Sequence, residues 1–328
     1  MSRDERAALR SLSGATHDAA LGIPAEVEPG TVDELRAVVQ DADAAYWAGR
    51  YAELGVLLGA LLPEARARYD ASNTDEKTAA AGVLADVFQT AAMAANVWGS
   101  RDLAYAALTY GRQIAVQAGD DLRDAHLAAT TAWVDLRDGR TAQGFSLAAT
   151  QADRIEPKMS EHDPDRLAVY GQLVTDAAVA ASRGGSSAET AREYLSQAHA
   201  VGARLGSEHA RGGHAQPYGP LYAATQAMSI AVALGDIPGA LRLMDTVKLD
   251  DTVPLATRAR YGLDVALTHV ECRRWDQAAD TLEAVCGMAP GWVQHQMLPS
   301  VIISRLAGVS VGRLRGLAHA AGVPLGVR

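Results

Sequence analysis

Residues 92–104 read Ala92-Met93-Ala94-Ala95-Asn96-Val97-Trp98-Gly99-Ser100-Arg101-Asp102-Leu103-Ala104. An Ala-rich, helix-favouring run halts at Trp98-Gly99, and Asp102 opens a second one almost at once. Ala92 and Ala104 stand seven before and five after Gly99, where two helices packed about 8–10 Å apart need small side chains. This is the plan of a helical hairpin. It recurs at Ala48-Gly49-Arg50-Tyr51, Asp138-Gly139-Arg140, Arg183-Gly184-Gly185, Leu234-Gly235-Asp236 and Arg273-Arg274-Trp275-Asp276. With Gly49, Gly99, Gly139, Gly184, Gly235 and Arg274 as anchors, the spacings are 50, 40, 45, 51 and 39 residues. The small residue before the anchor returns as Ala42, Ala132 and Ala177 and gives way to Met228 and Leu267. The one after it returns as Gly144, Ala240 and Ala279, with Leu54 and Glu189 interrupting.

Hairpins repeating at such a period specify an all-α solenoid. The expected fold is a right-handed α-solenoid of about six tetratricopeptide-like hairpins with terminal capping helices, its period longer than the usual ~34 residues of that motif. The helices expected to pair are 31–47 with 52–68, 75–97 with 103–116, 122–136 with 141–155, 165–182 with 188–205, 218–234 with 238–247, and 255–272 with 276–288. Two more follow, near 293–306 and 311–321. Residues 1–30 form an N-terminal segment, helical or partly disordered, 31–290 the repeat array, and 291–328 capping and dimerisation helices.

Composition narrows the classes. With 39 acidic against 30 basic residues the net charge is −9, and Lys occurs only at 77, 158 and 248. No basic cluster suits phosphate neutralisation, so direct nucleic-acid binding by this chain is not expected. Two cysteines, Cys272 and Cys286, exclude a disulfide framework and a four-thiolate zinc site, and read as reduced thiols. Asp4, Glu5, Arg6, Arg10, His17 and Asp18 interrupt any apolar signal core at the N-terminus. No run of membrane-spanning length free of charges is read further on. Cytoplasmic location is the default. Phosphate loops, dinucleotide fingerprints, nucleophile elbows and His-Glu-x-x-His helices are absent, so neither enzymatic activity nor a cofactor is expected.

Several short segments carry a family likeness: Ala48-Gly49-Arg50-Tyr51-Ala52-Glu53-Leu54, Gly99-Ser100-Arg101-Asp102-Leu103-Ala104, Tyr218-Gly219-Pro220, Ala233-Leu234-Gly235-Asp236, and Arg258-Ala259-Arg260-Tyr261 through Asp264. The tail from Ala289-Pro290 through His295 to Leu314-Arg315-Gly316-Leu317-Ala318 belongs with them. On these the chain, over roughly 30–321, resembles the C-terminal tetratricopeptide region of actinobacterial Cro-like helix–turn–helix transcriptional regulators. The resemblance implies a sensor or effector region. Residues 1–30 are too few for the family's DNA-binding domain, so the chain is an isolated effector region or its natural protein lacks that domain. Gln226 stands near where the family often places a His, which implies a different ligand.

In such hairpins the first helix points selected positions into a concave groove. Counting back 13, 10, 6 and 3 residues from the anchors gives Asp86, Gln89, Met93 and Asn96, then His126, Ala129, Trp133 and Leu136 with Arg137 adjacent. The fifth hairpin gives Tyr222, Thr225, Ser229 and Val232, and the sixth Tyr261, Asp264, Thr268 and Glu271. The candidate ligand-binding set is Gln89, Met93, Asn96, His126, Trp133, Arg137, Tyr218, Tyr222, Thr225, Gln226, Ser229, Tyr261 and Asp264. His126 and Trp133 share one helix face. The irregular segment Gly206 to Gly213, with Glu208, His209 and the nearby His214, fits no metal geometry and reads as a flap closing over the groove through Tyr218. Three functions remain open: a peptide- or small-molecule-sensing domain, a protein–protein adaptor without small ligand, or an enzyme of a biosynthetic cluster using the groove as a reaction chamber. The apolar stretch Met297 to Val309 suggests a homodimer through Trp292–Ala321, or else an ordinary cap on the sixth hairpin.

Overall fold

The computed structural model describes residues 1–213, 217–251, 253–307 and 309–324. The protein is all-helical, and among the described residues the only β-type pairing is an isolated bridge, His209 with Tyr218. Twelve helices form six consecutive pairs: α2 (Val32–Trp47) with α3 (Tyr51–Ala71), α4 (Thr74–Val97) with α5 (Arg101–Gln117), α6 (Asp121–Arg137) with α7 (Thr141–Ile155), α8 (Pro164–Ala180) with α9 (Ala188–Leu205), α10 (Pro220–Ala233) with α11 (Ile237–Thr246), and α12 (Leu255–Glu271) with α13 (Trp275–Met288). Ahead of them stands α1 (Arg3–Leu21), and after them α14 (Pro290–Val293), α15 (Leu298–Arg305) and α16 (Val311–Ala320).

Local chemistry starts and stops these helices. Ser2 with Glu5 and Thr31 with Glu34 close capping boxes on α1 and α2, each satisfying two orphan backbone donors. Gly49, Gly99, Gly139 and Gly235 have φ of 71, 81, 77 and 70°, a conformation that costs glycine little. Past each, a backbone N–H reaches back five residues, as in Arg50 N to Ala45 O and Ser100 N to Ala95 O, closing the first helix of the pair. In the sixth pair the residue with positive φ is Arg273, at 56°, and Arg274 N bonds His269 O. The repeat anchor there is Arg273, one residue earlier than the sequence suggested. The fourth pair differs: after α8 the chain passes through a kinked turn, Ala181–Gly185, with non-helical backbone at Arg183 and Gly184, whose φ is 97°.

Each first helix packs on the next first helix, and α12 comes back against α2. The second helices lie between successive first helices. At the crossings Ala42, Ala92, Ala132 and Ala177 are buried. With the anchor at Arg273, the equivalent residue of the sixth pair is Ala266, also fully buried. The centre of the core is α4, where every residue from Ala80 to Trp98 except Asp86 is buried. With Asp86 within it, α4 is by length and composition apolar enough to cross a membrane, yet most of it is buried inside this fold, as expected for a core helix.

Residues 1–30 contribute a full helix: α1 buries Leu12, Thr16 and Ala19 against α3, α4 and α5. At the other end Trp292, Val293, Ile302, Ile303 and Leu306 are buried in the chain's own core, with α15 on α12 and α16 on α13. Of the apolar side chains that suggested a homodimer, Ile302, Ile303 and Leu306 are thus buried within one copy. Met297, Val301 and Val311 are the large apolar side chains of this region that stay exposed.

Candidate functional site

The first helices surround a cavity of about 250 Å³. Its wall repeats by hairpin. From α6 come His126, Thr130, Trp133 and Arg137, which are 13, 9, 6 and 2 residues before Gly139. Tyr222, Gln226 and Ser229 of the fifth pair hold the first three of those offsets before Gly235. Counted from Gly185, one residue past the positive-φ Gly184, the fourth pair supplies Gln172, Asp176, Val179 and Arg183 at the same four offsets. Measured from Arg273, Arg260 of α12 occupies the 13 position. The cavity meets α2 at its last turns, through Asp43, Tyr46 and Trp47, but α12 at its first, through Ala256, Thr257 and Arg260. The helices therefore climb along the axis as they come round.

Of the residues singled out in the sequence, Gln89, Met93, His126, Trp133, Arg137, Tyr218, Tyr222, Gln226 and Ser229 line the cavity. Four do not. Asn96 is fully buried and its Oδ1 accepts from Arg101. Thr225 donates to Tyr222 O at 2.7 Å within its own helix. Tyr261 points at α11, its hydroxyl 3.3 Å from Leu243 O. Asp264 stands behind the wall and grips the Arg260 guanidinium at 3.1 and 3.2 Å. For the last two the cause is the misplaced Arg274 anchor: a one-residue error rotates a helix by about 100°. Sequence reasoning missed Tyr46, Trp47, Asp176, Arg183, Arg260, Arg211 and Trp292. A correct anchor at Arg273 would have found Arg260; finding Asp176 and Arg183 needed both the anchor at Gly185 and offsets of 9 and 2 in place of 10 and 3.

Both ends of α6 are covered. At its N-terminal end the loop after α9 crosses the opening. His209 exchanges backbone bonds with Tyr218 at 2.8 and 2.9 Å, and its Nε2 lies 2.7 Å from Asp165 Oδ1. Arg211 lies 3.3 Å from His126 Nδ1, and Gln40 Nε2 donates to Gly212 O at 3.1 Å across the opening. Glu208 accepts from Leu221 N at 2.7 Å and Tyr222 N at 3.3 Å, tying the loop to the start of α10, where a carboxylate suits the helix dipole. Tyr218, expected to close the flap, is its fixed root: the side chain is buried against Gly171, where a Cβ would come within 2.1 Å of the ring, and its hydroxyl donates to Ala198 O at 2.8 Å. His214 lies outside the described residues. At the opposite end the segment after α13 passes under Gly49. Arg137 donates to His295 O at 3.2 Å and Gln296 Oε1 at 3.3 Å, and Trp292 and Gln296 line the cavity.

The electrostatics of this interior are unbalanced. Among the described residues neither Arg137, Arg183 nor Arg211 has a carboxylate at salt-bridge distance. Burial lowers the pKa of all three, Arg183 to about 10 with the neighbouring Arg260 adding to the effect. Burial pushes the Asp176 carboxyl up to about 7, against a single hydrogen bond from Gln172 Nε2 at 3.0 Å. Gln89 Oε1, Asp176 Oδ2, Arg137 Nε and Arg211 Nε are buried without a hydrogen-bond partner, although buried polar atoms are ordinarily paired. Among the described residues no three His, Cys, Asp or Glu side chains converge as a metal site. The chain matches no protein-family model, and no curated protein or solved structure is similar to it.

Proposed function

We propose that this chain is a tetratricopeptide-like, right-handed helical array that binds a small organic molecule inside its superhelix, as the sensing region of a transcriptional regulator. One observation carries the binding reading: four buried polar atoms without partners, on Gln89, Asp176, Arg137 and Arg211, border one cavity. Each such atom costs about 1–3 kcal/mol while unsatisfied, and a ligand that pairs them recovers that cost. At about 250 Å³ the space falls a little below the roughly 300–1,000 Å³ of drug-sized sites, which favours a metabolite-sized ligand. Among the described residues, the loop over one end and the 290–296 segment under the other narrow the space left for a long peptide or a partner protein. The regulatory role rests on the family likeness of the turns and the tail. Occupancy would act by favouring one arrangement of loop and helices over another.

A thermal-shift screen of the purified chain against small metabolites tests the reading. Saturable stabilisation by one or a few compounds, lost in Trp133→Ala and Tyr222→Ala, supports it. Stabilisation by nothing smaller than a folded protein contradicts it and favours an adaptor.

A further inference from the structure

The cavity's charge pattern says what its ligand looks like, given the ligand-binding reading above. Arg183 Nη2 and Arg260 Nη2 both donate to Ser229 Oγ, at 3.1 and 3.0 Å. Two guanidinium groups from different hairpins thus converge on one neutral hydroxyl. Asp264 neutralises Arg260 alone. Arg137, which holds the same hairpin position as Arg183, is near enough to Arg260 to feel its charge. Of these three guanidiniums only Arg260, among the described residues, has a carboxylate at salt-bridge distance, that of Asp264, and like charges brought together in a buried site are costly until an anion joins them. Guanidinium groups are well matched in shape to a carboxylate.

The opposite requirement stands about two helical turns away along the wall. Gln89 donates through Nε2 to Thr130 Oγ1 at 2.7 Å, which leaves its Oε1 facing no donor. Asp176 Oδ2 faces none either. Thr130 and Asp176 sit seven residues before Arg137 and Arg183, a rise of about 10 Å along a helix. Between the two levels the wall is Trp133, Met93 and Val179.

We propose that the ligand is a small organic acid: its carboxylate seats between Arg183, Arg260 and Arg137, an aromatic or apolar body lies along Trp133, and a hydroxyl or amine about 10 Å away donates to Gln89 and Asp176. Calorimetry with three matched probes tests this: 3-(4-hydroxyphenyl)propanoate, its primary amide, and 2-(4-hydroxyphenyl)ethylamine. The acid is expected to bind at least about tenfold more tightly than the amide, as charge-assisted bonds predict, and the amine not at all. In Arg183→Gln the acid falls to the level of the amide, whereas Arg183→Lys keeps a preference for the acid. Melting curves confirm that both variants are folded. If amide or amine binds as well as the acid, or Arg183→Gln keeps the preference, the acid proposal is overturned while the ligand-binding reading stands. If none of the three binds, the acid proposal falls, and the metabolite screen decides the wider reading separately.

Discussion

The two ends of α6 treat arginine in opposite ways. Near its start Arg123 is clasped by Asp86 at 2.9 and 3.3 Å and by Asp120. Close by, Arg112 and Arg154 both reach the buried Asp124. Burial alone would lower the Arg123 pKa, but these carboxylates raise it. Some 21 Å further along the helix, Arg137 lies over Trp133 with no carboxylate and an unpartnered Nε, and Arg183 repeats its position one hairpin on. Where arginine serves the fold, this chain supplies the counter-charge. Where Arg137 and Arg183 face the cavity, no carboxylate lies at salt-bridge distance among the described residues, a difference that supports the proposed ligand site.

Arg123→Ala should show the largest effect. It leaves Asp86 and Asp120, both largely shielded from water, without their cation, and a loss of about 3 kcal/mol in urea denaturation is expected. A near-neutral result would break the comparison at its structural end.

Asp176 comes next. Its folded pKa of about 7 lies above its unfolded value, so the folded state holds an extra proton between about pH 4 and pH 7. Stability contributed by this group is therefore present in acid and is lost as pH rises towards 7. Asp176→Asn removes that dependence. The variant should gain on the parent by on the order of 2 kcal/mol between pH 4.5 and pH 7.5 in denaturation curves. A constant difference across that range would show that Asp176 is solvated like a surface carboxylate.

Arg183→Gln is the smallest. With no ion pair to break and the like charge of Arg260 beside it, it should cost the unliganded protein no stability while removing the anion preference. A loss as large as that of Arg123→Ala would make Arg183 a structural residue.

Much of the array was legible because glycine advertises its own job. At Gly49, Gly99, Gly139 and Gly235 the residue type and the left-handed backbone coincide, and the helix pairs followed. The two register errors have different causes. Arg273 adopts the glycine conformation with a side chain, so nothing in Arg273-Arg274 says which residue is the turn. Gly184 is itself left-handed, but the kinked turn Ala181–Gly185 shifts the wall register by one residue, which composition does not betray. Counting from Gly184 selects Gly171, Val174, Ala178 and Ala181, an apolar and buried set, and hides Asp176 and Arg183 two residues away. Trp292 and Gln296 were illegible for another reason: they reach the cavity from about 150 residues beyond Arg137, and local periodicity carries no such information.

The contrast between the two ends of α6 can be seen directly by soaking crystals of the protein in bromide and mapping the anomalous scattering. The account predicts a bromide peak inside the cavity, within contact of Arg183 or Arg137, and none at Arg123 or Arg112, whose positive charge is already matched. A peak at Arg123, or an empty cavity beside bromide bound elsewhere, would contradict it.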